Sequence, residues 1–314
     1  MPYYQSMTAE PVSMPQNNLN EILVKFRQRD ASIASGKPLA ELEALFNYSR
    51  SYEGNFAEFI KELVQCSDWK NRSEINYPYP KICCALAKQI DQFFNSTSNR
   101  EPFYHSRKHF QDVCLALTVL LIQSKKTIDQ LQLANHWKIS DEDAWLLLFC
   151  AIAHDYGHDG SFKNPPFKLE NYSILLTQDF LETQKATLEI SETVNLENQI
   201  KPIILATAPS YLQTLLTKFD SPNELTKTDC LCMLMVEADL LASSLPTYGQ
   251  YLGRLLAQEW QLEDLVASEF VVSRSGRLKF LNQINFISPY AKILGLDVIR
   301  VESIKQLEEM KDAK

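Results

Sequence analysis

Only eight of the 314 residues are glycine, and this scarcity narrows the fold more than any other feature. Leu, Ala, Glu, Gln and Lys dominate, and proline falls mostly between periodic segments, a composition that favours helix throughout. No run of alternating β-branched residues is long enough to demand a sheet. Apolar residues instead recur at helical spacing. Asn18–Ser35 carries Leu19, Ile22, Leu23 and Phe26. Phe56, Phe59, Ile60 and Leu63 make a second stripe, and Ile82–Phe94 a third. Further helices are predicted over Tyr104–Gln123, Phe167–Thr183, Leu196–Leu216, Tyr248–Phe270 and Leu278–Leu294. Ser140-Asp141-Glu142-Asp143 resembles a capping box and opens a helix reaching Asp155, which Gly157 and Gly160 then break. Ser221-Pro222-Asn223-Glu224 is another start signal, for a helix to about Leu245. The expected fold class is therefore all-α, a compact multi-helix bundle.

The polar stretch Asn95–Pro102 divides the chain. Residues 1–16 read as a disordered leader, 17–100 as an N-terminal helical subregion, 101–300 as the functional core and 301–314 as a charged tail. A net charge of −8 lacks the basic stripe that nucleic acid requires, so nucleic acid is not an expected partner. A small anionic substrate remains compatible, because a bound dication dominates its local field. Seven cysteines, odd in number and without a CxxC pair, read as buried hydrophobes in a reducing compartment, so a cytoplasmic location is expected. The first residues have no signal-peptide pattern, and no run of 18 or more apolar residues suggests a membrane span.

Four of the five histidines fall in two clusters, Tyr104-His105-Ser106-Arg107-Lys108-His109 and His154-Asp155-Tyr156-Gly157-His158. Each has an i, i+4 pair, a spacing that predicts two imidazoles on one helical face. His154-Asp155 ends the apolar run Trp145–Ala153, where burial is costly unless the groups are paired or metal-bound. Asp239 is a third polar group in an apolar stretch, Met233–Leu241. Imidazole with carboxylate suits divalent metals. His136 stands alone in a polar stretch and reads as an exposed residue.

The ordered set is more specific than any one piece. Tyr104-His105-x-x-x-His109-x-x-Asp112-Val113, then His154-Asp155-x-x-His158-x-Gly160, Leu169-Glu170-Asn171, Ala206-Thr207, Ala238-Asp239-Leu240 and Gln283-x-x-Phe286-Ile287 resemble, in order, the motifs of class I cyclic nucleotide phosphodiesterases. These belong to the HD-domain superfamily of metal-dependent phosphohydrolases. Departures are Ser106 for the family's asparagine, Tyr172 and Ser173 for histidines, Ala208 for an acid, and Ala242 near a lost asparagine.

The resemblance implies hydrolysis of cAMP, cGMP or both to 5′-monophosphates at a binuclear site, by in-line attack of a hydroxide between two metals. His109, His154, Asp155 and Asp239 would hold a zinc ion, with Asp155 bridging to magnesium or manganese. His105 would be the general acid. His158, Glu170, Asp112 and Thr207 would support the metal-bound water. Tyr104, Gln283, Phe286 and Leu255 would contact substrate, with Gln283 and Phe286 on one helical face. Two alternatives stand beside this: an HD hydrolase of another nucleotide phosphoester, and a module that binds cyclic nucleotide without turnover.

Overall fold

Reciprocal pairs of polar side chains set three of the described helix starts. Asn55 accepts from the Glu58 amide while Glu58 returns a bond to the Asn55 backbone, and the pairs Ser140/Asp143 and Thr226/Asp229 do the same. Such pairs satisfy N–H groups that a helix start leaves unbonded. In the computed structural model, which describes residues 18–28, 38–72, 78–96, 99–127, 134–184, 190–221 and 224–309, the described residues form an all-α fold. The predicted leader, residues 1–16, lies outside them.

The first helices are α1 (Leu19–Gln28), α2 (Leu39–Ser51), α3 (Phe56–Gln65), α4 (Ser67–Lys70) and α5 (Tyr79–Asn95). Next come α6 (Arg107–Thr127), α7 (Asp141–Ala153), α8 (Lys168–Thr183), α9 (Ile190–Leu205), α10 (Leu212–Lys218) and α11 (Lys227–Ser244). The last are α12 (Pro246–Trp260), α13 (Leu265–Val272), α14 (Arg274–Gln283), α15 (Pro289–Ile293) and α16 (Leu296–Glu309).

Several expected boundaries move. The helix expected from Tyr104 starts at Arg107, because Tyr104 and His105 give their backbone N–H groups to a side chain instead of continuing a helix. The Ser221 start gives way to Thr226, whose box with Asp229 is complete; Pro222 and Asn223 lie outside the described residues. Tyr248–Phe270 divides into α12 and α13, with Asp264 capping the second. Leu278–Leu294 divides where Ile284 turns extended and Ser288 caps α15. Leu196–Leu216 divides after Leu205. α2 was not foreseen, although Leu42, Leu45 and Phe46 form its buried stripe. His136 is half-buried, not exposed, in a short turn beside Trp137.

Three helices are buried on every side, the pattern of a central element. His109–Ser124 of α6, Ala144–Ala153 of α7 and Cys230–Ala238 of α11 are all buried. α6 packs on α11 and α7, and α1, α2 and α3 pack on α6 in turn. One hydrophobic core therefore runs from Leu19 to Ile299. Some polar groups inside it are partnered: the Trp69 indole donates to Thr118 at 3.1 Å, and Gln123 donates to the Phe26 carbonyl at 3.3 Å. All seven cysteines are unpaired thiols. Among the described residues no single helix is long and apolar enough to cross a membrane.

Candidate metal centre

The three central helices meet where their polar residues lie. His109 sits in the first turn of α6, His154 caps the C-terminus of α7 with Asp155 next, and Asp239 lies in the last turns of α11. The nitrogen atoms His109 Nε2 and His154 Nε2 are 3.3 Å apart. Asp155 Oδ2 is 3.4 Å from the first and 3.3 Å from the second. Asp239 Oδ1 is 3.1 Å and 3.7 Å from the same two atoms. Adjacent ligands about 2.0–2.1 Å from one ion are separated by roughly 2.8–3.4 Å in octahedral or tetrahedral geometry. His109, His154 and Asp239 thus have the spacing of a coordination shell, and Asp155 lies against both imidazoles beside it.

The tautomer agrees. His154 Nδ1 donates to the Ala151 carbonyl at 2.9 Å, which leaves the Nε2 lone pair facing the cluster. His109 Nδ1 is buried with no hydrogen-bond partner among the described residues. The electrostatics match a site built for a cation. Burial pulls the His109 imidazole down, but Asp155 and Asp239 outweigh it and hold it at about 10. His154 is raised against the same burial by Asp155 and Asp239. Burial would raise Asp155, yet His154, His109 and His105 hold it well below the usual carboxylate range.

A second His₂Glu group stands beside the first. His105 Nδ1 lies 2.5 Å from Glu259 Oε1, and the His105 and His158 rings stack at 3.6 Å with 15° between their planes. Both His158 and Glu259 come within ligand range of His105. Imidazole lone pairs lie in the ring plane, so two stacked parallel rings cannot both point at one ion about 2.1 Å away. The 2.5 Å separation is also that of a hydrogen bond. This group is a hydrogen-bonded dyad with a stacked ring, not a coordination shell.

The dyad has a fixed backbone. Glu259 of α12 accepts the Tyr104 and His105 N–H groups through Oε2, at 2.8 Å and 3.1 Å, and engages the His105 ring through Oε1. The i, i+4 spacing of His105 and His109 is therefore not a shared helical face; a carboxylate from α12 shapes the approach to α6. His154 and His158 likewise do not share a face, because α7 ends at Ala153 and Gly157 turns the chain at φ 83°. Burial and the neighbouring His105 hold the His158 imidazole down at about 4, while its Nδ1 accepts the Gly160 N–H. Glu259 was not foreseen. It lies 154 residues from His105, in a stretch with no marker beyond an ordinary acid.

The other expected residues differ in their surroundings. The Tyr104 ring lies 4.8 Å from that of His109, and its hydroxyl meets Ser243 Oγ at 2.9 Å. Glu170, in the first turn of α8, is raised by burial and by nearby Asp155 and Asp239. Asp112 is fully buried and accepts the Tyr248 hydroxyl at 2.9 Å. Thr207 donates to the Ile204 carbonyl of its own chain segment at 2.8 Å. Leu255 is half-buried on α12. Gln283 and Phe286 do not share a helical face: Gln283 is exposed at the end of α14, whereas Phe286 is buried in the extended link after it.

No protein-family model and no curated protein matches the chain. Solved structures do. LmjPDEB1 in complex with IBMX is 15% identical, with a TM-score of 0.61 over 93% of this chain and 96% of that one. The phosphodiesterase domain of the RhoPDE fusion protein from the choanoflagellate Salpingoeca rosetta is 15% identical, with a TM-score of 0.53 over 91% and 94%. This is the phosphodiesterase-domain fold. The match takes in over nine-tenths of each chain, so the metal-type cluster and the dyad stand within that fold.

Proposed function

We propose that the protein is a divalent-metal-dependent phosphodiesterase that opens 3′,5′-cyclic nucleotides, cAMP or cGMP, to 5′-monophosphates. The convergence of His109, His154 and Asp239 at ligand spacing, with Asp155 against both imidazoles, carries the reading. The fold shared with LmjPDEB1, whose structure holds IBMX, supports a small-molecule ligand. On this reading residues 101–300 hold the catalytic machinery, residues 17–100 buttress it, and the protein works in the cytoplasm.

His109, His154, Asp155 and Asp239 would hold the tighter ion, zinc, and Asp155 would also help hold a second, magnesium or manganese. Bound divalent ions lower the pKa of water and offset the charge of the phosphate. The chain's own residues supply the rest. Asp155 lies within 3.4 Å of His109 Nε2 and 3.3 Å of His154 Nε2, which supports its reading as a ligand. His105 donates a hydrogen bond from its Nδ1–H to Glu259 and keeps that proton, which leaves an Nε2–H to be delivered to the leaving O3′ as a general acid would. Glu259 fixes both the ring and the backbone that carries it, a triad-like orienting role. His158, held neutral, lies against the acid without competing with it as a proton donor at neutral pH. His158, Glu170, Asp112 and Thr207 support water near the ions. Tyr104, Leu255, Gln283 and Phe286 contact the nucleotide, with Gln283 on the edge of the base.

Turnover of cAMP and cGMP by the metal-loaded protein tests the reading. His105→Ala is expected to keep the ions and to lower kcat by roughly 10²–10⁴-fold, the usual contribution of placed proton transfer. The defect should shrink on a nitrophenyl ester, whose leaving group needs no proton. Equal loss on both esters would remove His105 from the acid role.

A further inference from the structure

Glu237 lies in α11, two residues before Asp239, and only 1% of it is exposed. A carboxylate so placed is costly unless its oxygens are satisfied. Oε1 accepts two backbone N–H groups, those of Ile287 and Ser288, both at 2.7 Å. Oε2 is buried with no partner among the described residues. The two amides belong to the link between α14 and α15, where Ile284 is extended and no helix supplies backbone acceptors. Buried N–H groups need partners, and here one side chain of α11 provides for two successive ones.

The position round α11 gives this bond a use. A helix turns by about 100° per residue, so Leu240 lies about 100° from Asp239 and about 60° from Glu237. Residues 230–238 and 241–244 of α11 are buried, whereas Asp239 and Leu240 are half-buried. The free surface of α11 therefore runs from the metal ligand Asp239 along Leu240 towards the side that carries Glu237 and the Phe286 link.

We propose that Glu237 is a positioning residue for the nucleotide base: it sets where Phe286 stands relative to the ions, without touching substrate itself. This rests on the proposed cyclic nucleotide activity. Asp239 and Glu237 then make α11 the common ruler for both ends of the substrate, phosphate and base.

The test compares Glu237→Ala and Glu237→Gln with the wild type, using metal-loaded full-length protein. KM and kcat are measured for cAMP, cGMP and the base-free bis(p-nitrophenyl) phosphate, and hydrogen exchange is followed over residues 284–289. Glu237→Ala is expected to raise KM for cyclic nucleotides roughly tenfold, to keep kcat and base-free turnover within about twofold, and to speed exchange over the link. Glu237→Gln keeps one acceptor oxygen, and a rise in KM of about threefold with intermediate exchange is expected. Parallel losses on all three substrates, or unchanged exchange, would overturn the proposal. If the alanine variant does not fold, a glutamine variant with wild-type KM and wild-type exchange overturns it as well. A wild type that cleaves only the base-free ester would instead sink the cyclic nucleotide reading and the base role with it, while faster exchange in the variants would still show the tether.

Discussion

His109 is the residue on which the chemistry of the centre can be titrated. Asp155 and Asp239 hold its imidazole at about 10 against burial, so the ion-free protein keeps a proton there at neutral pH. The attraction stabilises the ion-free fold fully below the ordinary value of 6.5 and is lost as pH rises through about 10. A metal ion must displace that proton. Affinity for zinc should therefore increase between pH 6 and 8, by about tenfold per unit for each proton released. Calorimetric titration in buffers of different ionisation heat reads the proton count directly. A dissociation constant that stays flat with pH would mean that His109 is not a ligand.

At the scale of elements, the reversal after α7 depends on Gly157. Its φ of 83° is left-handed, and a Cβ there would collide with the side chains of Leu176 and Tyr172 of α8. Gly157→Ala should cost about 1–2 kcal/mol from the backbone alone, with more from the collision. Because the turn separates Asp155 from His158, metal affinity should fall too. Urea unfolding with a zinc titration checks both, and a variant of unchanged stability would contradict the turn assignment. The link after α14 makes a second prediction. Gln283 and Phe286 reach their places from a helix end and from an extended strand-like link, not from one face. Gln283→Ala should lower kcat/KM for cyclic purine nucleotides relative to bis(p-nitrophenyl) phosphate, by a ratio equivalent to about 1–3 kcal/mol. An unchanged ratio would remove Gln283 from the base site.

These elements also show what a sequence can carry. The helical class followed from composition and apolar spacing, and Ser140 with Asp143 announced α7 in four residues. The metal-type cluster was legible because imidazole and carboxylate are rare inside apolar runs. The local geometry was not. An i, i+4 pair implies a shared face only if the helix exists, and at His105 the acceptor that prevents it is Glu259, from α12. No neighbouring residue signals so distant a partner. The division after Gln283 was similarly hidden: Ile284 and Asn285 carry no breaker, and the amides of the link are satisfied by Glu237, a residue of α11.

Across the whole molecule, the proposed ion joins the three helices on which everything else packs. His109 comes from α6, His154 and Asp155 from the end of α7, and Asp239 from α11. Without an ion, two imidazoles and two carboxylates crowd together within a single core. An ion that binds only the folded arrangement stabilises it by mass action, by about 2.7 kcal/mol when free metal is a hundredfold above Kd. For a chain of this size that corresponds to a Tm increase of roughly 4 °C. Asp239→Asn keeps the volume and removes the charge of one ligand, so most of the increase should vanish at the same zinc concentration. Lys163→Ala is the control: Lys163 is an exposed partner of Asp264, and the variant should gain as much as the wild type. Thermal unfolding of chelator-treated protein, with and without added zinc, measures all three. An equal gain in Asp239→Asn would place the stabilising ion elsewhere on the surface and detach the core cluster from metal.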